Sequence, residues 1–132
     1  MILADTSAWI DYFADRDSYA RRHLRLALVD DDLVIGDLVL VEILQGIRSD
    51  RQLRETSGTL GHFKFVSLCG PQIAKAAASN FRLLRSRGIT IRGTIDVIIA
   101  TWCVENDAEI IHNDRDFAAM ERLLGLRRYR PG

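Results

Sequence analysis

Apolar positions along this chain alternate between short continuous runs and longer stretches in which they recur every three or four residues. The short runs predict strands at Ile2–Asp5, Leu33–Ile35, Lys64–Leu68 and Glu109–His112, with Arg127–Arg130 as a possible fifth. The longer stretches predict helices. Ser7–Ala14 comes first, then Ser18–Val29 capped by Asp17 or Ser18. Leu38–Ile47 follows under Asp37, and Asp50–Leu60 is a weaker helix broken by Gly58 and Gly61. Pro71 suits the first turn of Gln72–Arg87, which Gly88 ends. Thr94 caps Ile95–Asn106, and Asp114 or Arg115 opens a last helix that reaches Leu124 and stops at Gly125. Strands separated by helices imply right-handed crossovers and a mostly parallel sheet of four to five strands, covered on both faces. Ligands of such α/β folds bind beyond the carboxyl ends of the strands.

Four acidic residues disturb this pattern. Asp5 ends the run Met1-Ile2-Leu3-Ala4, and Glu42 interrupts Leu38-Val39-Leu40-Val41-Glu42-Ile43-Leu44. Asp96 interrupts Ile95-Asp96-Val97-Ile98-Ile99, and Asp114 follows Ile110-Ile111-His112-Asn113. A carboxylate buried without a partner is strongly disfavoured, so it shifts its pKa or acquires a cation. Singly, Asp5, Asp96 and Asp114 each have an ordinary reading as a helix cap or a first-turn acid that complements the helix dipole. Glu42 is harder to explain, because apolar residues surround it on the helix. Asp5 and Asp114 lie at strand ends, while Asp96 and Glu42 lie on helices. All four can therefore meet at one end of one sheet. Carboxylates crowded together repel, and a hard divalent ion such as magnesium or manganese resolves the repulsion. Such an ion polarises phosphate oxygens and lowers the pKa of water, which points to phosphodiester chemistry.

Composition narrows the setting. The 132 residues suffice for one domain, with 48% hydrophobic and 27% charged residues close to globular averages. No apolar stretch approaches the roughly 20 residues of a membrane span. The N-terminus lacks the basic region of a signal peptide. Cys69 and Cys103 fit neither a disulfide framework nor a zinc site, and read as semi-buried core thiols in a reducing, cytoplasmic compartment. Net charge is zero, yet Lys64 and Lys75 are the only lysines among 18 basic residues. Arginine binds phosphate bidentately, although a GC-rich genome also favours its codons. His23, His62 and His112 lack zinc-hydrolase spacing, and no nucleophile elbow, dinucleotide-binding fingerprint or P-loop is present. Trp9, Tyr12 and Phe13 form an aromatic stripe on the first helix, suited to core packing or, alternatively, to a partner-binding groove.

The same residues carry a family resemblance. Met1-Ile2-Leu3-Ala4-Asp5-Thr6-Ser7-Ala8-Trp9 resembles the opening strand of PIN-domain ribonucleases, in particular the toxins of bacterial VapBC toxin–antitoxin pairs. Val41-Glu42-Ile43-Leu44-Gln45-Gly46 is similar to the segment of that family's second acid, and Thr94-Ile95-Asp96-Val97-Ile98-Ile99-Ala100 to that of its third. Asn113-Asp114-Arg115-Asp116-Phe117 resembles the closing D-x-D-F signature. The match spans essentially the whole chain, residues 1–132, as a single PIN domain, an α/β/α sandwich. The resemblance implies an endoribonuclease dependent on magnesium or manganese, inhibited by a cognate VapB-type antitoxin and commonly dimeric. It implies Asp5, Glu42, Asp96 and Asp114 as the catalytic acids. Asp5 and Asp96 would be the principal metal ligands, Asp114 a further ligand and Asp116 an accessory one. Thr6 and Thr94 would hydrogen-bond to carboxylates or to water on the metal.

Rival readings fare worse. A receiver-type phosphoacceptor needs a lysine after a late strand, and both lysines precede Asp96. A haloacid-dehalogenase-like phosphatase needs two acids at the first strand, where Asp5-Thr6-Ser7 supplies one. A PIN-like module that binds RNA or protein without cleaving is expected to have lost an acid, and none is lost.

Overall fold

A computed structural model describes residues 1–30 and 32–132. The elements run β1 (Ile2–Ala4), α1 (Thr6–Phe13), α2 (Tyr19–Ala27), β2 (Leu33–Gly36), α3 (Asp37–Gln45) and α4 (Asp50–Leu60). They continue with β3 (Lys64–Val66), α5 (Pro71–Ser86), α6 (Thr94–Glu105), β4 (Glu109–Ile111), α7 (Asp116–Leu124) and β5 (Arg127–Arg128). The five strands form one sheet in the order β3-β2-β1-β4-β5, and every pairing is parallel. Helices pack on both faces of it, which completes the α/β/α sandwich.

Burial follows from that architecture. All residues of β1 and β2 are buried, as a parallel sheet covered on both sides requires. Leu3, Ala4, Ile35, Ile110, Val97, Ile99, Trp9 and Phe117 form the centre of the core. β1 lies in the middle of the sheet. From it the chain first builds outward through β2 and β3, then returns to place β4 and β5 on the other side. Strand order thus reverses beside β1, and the crevice at the carboxyl ends of β1 and β4 is where such folds bind ligands.

Several boundaries differ from expectation. β1 stops at Ala4, because the Asp5 side chain turns to cap α1 and accepts from the Ala8 amide. Of the two caps expected for α2, Ser18 is the one used. Gly36, not Asp37, is the N-cap of α3; Asp37 opens the helix and its Oδ1 accepts from Leu38 N at 2.8 Å and Leu68 N at 3.0 Å. Gly36 also lets Leu68 pass close by, since a Cβ there would lie 2.4 Å from Leu68 Cδ1. α4 runs through Gly58 unbroken, anchored by buried Thr56 and Leu60. Gly93 is the N-cap of α6, with Thr94 its first residue and no side-chain cap. α7 begins at Asp116 with Arg115, one of the two expected openings, as its N-cap; Gly125, at φ 75°, ends it in the left-handed region as expected. Cys103 is a core thiol, but Cys69 is exposed just beyond β3.

Candidate metal centre

Each acid reaches the crevice by a separate route. β1 delivers Asp5 at its carboxyl end, where Oδ1 accepts from Ser7 Oγ at 2.7 Å and from Ala8 N at 3.1 Å. The first turn of α6 carries Asp96, in the zone where the helix dipole favours negative charge. The turn after β4 carries Asp114 and Asp116, whose own geometry is tightened by the Asp116 amide donating to Asp114 Oδ1 at 3.0 Å. Glu42 lies midway along α3, half-buried, between the buried residues Val39 and Ile43. Its Oε1 accepts from Thr6 Oγ1 at 2.6 Å, so the residue after Asp5 holds the acid from α3 in place.

Carboxylate oxygens of Asp96, Asp114 and Asp116 all lie within 4.8 Å of one another. Asp5 stands beside this trio, near enough for the charges of Asp96 and Asp114 to act on it. Burial pushes the Asp5 carboxyl up to about 7, against the lowering effect of its two hydrogen bonds, and the neighbouring aspartates add to the rise. Asp96 is raised to about 6, first by burial, then by repulsion from Asp114, Glu42 and Asp116. Arg92 is the cation that offsets these charges. Its Nη2 lies 3.4 Å from Asp114 Oδ1 and its Nε 3.3 Å from Asp116 Oδ2. Hydrogen bonding to Asp116 is the main cause raising the Arg92 pKa.

The donor set fits a hard divalent ion. Every candidate ligand atom is a carboxylate oxygen, with no thiol or imidazole among them, which matches magnesium or manganese and not zinc. Asp5 and Asp96 hold protons well above their ordinary range, chiefly because burial disfavours the charged form, with the neighbouring acids adding to the rise.

A shell of polar residues without an apolar-run signature supports the acids. Ser7 Oγ both donates to Asp5 and accepts from Asn113 N at 2.8 Å. Asn113 Nδ2 donates to Asp11 Oδ2 at 2.7 Å, and Ser18 Oγ donates to the same oxygen at 2.8 Å. Asp11, 5% exposed, therefore ties α1 to the β4–α7 turn and to the cap of α2. Reading along the sequence missed Ser7, Asp11, Arg92, His112 and Asn113. The buried Asp11 carried the one available signal, an acid inside the aromatic stripe.

The remaining site candidates separate. Thr6 is in the site, whereas Thr94 is exposed at the head of α6 and lines the apolar trough between α5 and α6. Trp9 is fully enclosed, stacked on Phe13 at 5.8 Å and edge-on to Tyr12 at 5.9 Å. The stripe is thus core at Trp9 and surface at Phe13. Together with Ile10, Ile43 and Ile47, Phe13 lines a groove of about 290 Å³ between α1, α3 and α4, with Glu42 at its wall.

Comparison with known proteins agrees with this geometry. The PIN domain family model matches residues 2–123. Ribonuclease VapC11 of Mycobacterium tuberculosis is 30% identical over 128 residues, covering 96% of each chain. The DNA-bound VapBC structure from Salmonella typhimurium superposes with a TM-score of 0.78 at 21% identity, over 97% of this chain and 96% of that one. VapC20 of Mycobacterium tuberculosis, described as a sarcin-ricin loop cleaving toxin, gives 0.69 at 17% identity, over 99% and 100%. By the family match and the coverage of its relatives, the chain belongs to the PIN domain family, in the group that includes the VapC ribonucleases.

Proposed function

We propose that this protein is an endoribonuclease that uses magnesium or manganese, acting in the cytoplasm as the toxin of a type II toxin–antitoxin pair. The observation that carries the reading is the convergence of Asp96, Asp114 and Asp116 within 4.8 Å, beside the buried Asp5. Asp5, Asp96, Asp114 and Asp116 hold the ion. When bound, the ion offsets the charge on the phosphodiester and makes water more acidic. Glu42, held by the Thr6 hydroxyl, accepts a hydrogen bond from the attacking water and orients it toward phosphorus. Arg92 stands at the rim with a side chain 68% exposed, and its guanidinium suits a phosphate oxygen.

Retention of all four acids favours cleavage over the alternative of an RNA- or protein-binding module without catalysis. The partner is a VapB-type antitoxin, in keeping with the VapBC complexes that share this fold. The groove beside Phe13 suits an apolar antitoxin segment, and Glu42 on its wall places that segment next to the site. The toxin itself pairs as a homodimer. Among the described residues, no helix is long and apolar enough to cross a membrane.

The test is cleavage of structured RNA by purified protein. Cleavage is expected with magnesium or manganese and not with EDTA, and Asp96→Asn is expected to slow it by about three orders of magnitude, a loss of several kcal/mol. Full activity in EDTA, or in Asp96→Asn, would overturn the reading.

A further inference from the structure

We infer that His112 is a positioning residue for Asp114: its Nδ1 lone pair receives the Asp114 amide, and Glu121 locks the tautomer that keeps that lone pair available. His112 directly follows β4 and is 2% exposed, an uncommon place for an imidazole. Asp114 N donates to His112 Nδ1 at 3.2 Å, and His112 Nε2 lies 2.5 Å from Glu121 Oε1. An N–H pointing at Nδ1 requires that nitrogen to be bare, so the ring proton must sit on Nε2, where it faces the carboxylate. The opposite tautomer would set one N–H against another on the Asp114 side and turn a bare ring nitrogen toward the Glu121 carboxylate.

Glu121 is itself held. Arg128 Nε donates to the same Oε1 at 3.1 Å, and the Arg128 guanidinium carbon lies 5.2 Å from the centre of the Tyr19 ring. The line Arg128–Glu121–His112 thus runs from β5 through α7 to the amide of Asp114. Asn113, between the two ends of this grip, is fixed from the opposite side by Ser7 and Asp11. The β4–α7 turn is clamped at consecutive residues by separate elements. Such clamping is how a short turn aims carboxylates within the tolerance a metal demands. The inference rests on reading Asp114 as a metal ligand.

Two substitutions separate positioning from packing. Asn places an oxygen near the Nδ1 position, whereas Gln places one near Nε2. In the metal-free protein, His112→Asn is expected to keep the Asp114 amide protected from hydrogen exchange, and His112→Gln to lose that protection. Manganese titrated into the same full-length proteins is expected to bind His112→Asn nearly as the parent, and His112→Gln about 10- to 100-fold more weakly. Unchanged exchange at Asp114 in His112→Gln, or equal loss in both variants, would overturn the inference. Nitrogen-15 spectra of the unsubstituted protein give a check that needs no variant: Nε2 protonated and Nδ1 bare support it, and the reverse refutes it. Failure of the parent to bind manganese would count against the proposed function, while the exchange data would still decide the role of His112.

Discussion

Asp5 serves as a helix cap and a site carboxylate at once, and the two roles pull its proton affinity in opposite directions. The cap bonds favour the ionised form, yet burial wins and lifts the carboxyl to about 7. An unfolded aspartate titrates near 3.9. Between these values the native state holds a proton that the unfolded chain has lost, so stability falls as pH rises toward and through 7. His23 and His112, both lowered by burial, act oppositely below about 6.5, because there the unfolded chain binds protons that the native imidazoles refuse. The decisive window is therefore pH 6.5 to 8. In EDTA, the melting temperature should drop across that window, and Asp5→Asn, which can still cap α1, should flatten the drop; an identical slope in both proteins would contradict the assignment. At this scale the sequence revealed the acids, since a carboxylate inside an apolar run is anomalous on sight. It could not reveal Ser7, Arg92 or Asn113. Ser7 and Asn113 are ordinary polar residues 106 positions apart, and only the pairing of β1 with β4 makes them neighbours.

Elements were legible in kind and less so at their ends. The four strongest strands and the helices follow apolar period and length, which burial on a two-sided sheet enforces. Ends depend on single hydrogen bonds that periodicity does not encode, which is why Gly36 and Gly93 took the caps expected of Asp37 and Thr94. Gly58 misled for a related reason: glycine inside a helix costs only about 1 kcal/mol, less than the anchoring that Thr56 and Leu60 supply. Two glycine substitutions should therefore move stability in opposite directions. Gly36→Ala drives a methyl into Leu68 and should destabilise by about 1–3 kcal/mol. Gly58→Ala meets nothing within 4 Å and should stabilise by about 0.5–1 kcal/mol. Urea midpoints measure both; stabilisation by Gly36→Ala would refute the close packing at the end of β2.

For the whole molecule, topology does the assembling. Strand order reverses beside β1, so residues separated by most of the chain arrive at one crevice, Asp5 from the first strand and Asp114 after the fourth. The order and spacing of the acid motifs made the family legible from sequence, whereas the partner surface was only half legible. Trp9, Tyr12 and Phe13 share a helix face, but helix packing encloses Trp9 and leaves Phe13 at the groove. Phe13→Ser should accordingly weaken antitoxin binding at least tenfold with little change in RNA cleavage by the free toxin; unchanged affinity by calorimetry would remove the groove from the account. The central claim is that the acid cluster holds a divalent ion. Anomalous diffraction from crystals grown with manganese tests it most directly. An anomalous peak bounded by Asp96, Asp114 and Asp116 is expected, lost in Asp96→Asn; crystals saturated with manganese that show no peak there would contradict a metal-binding role for the cluster.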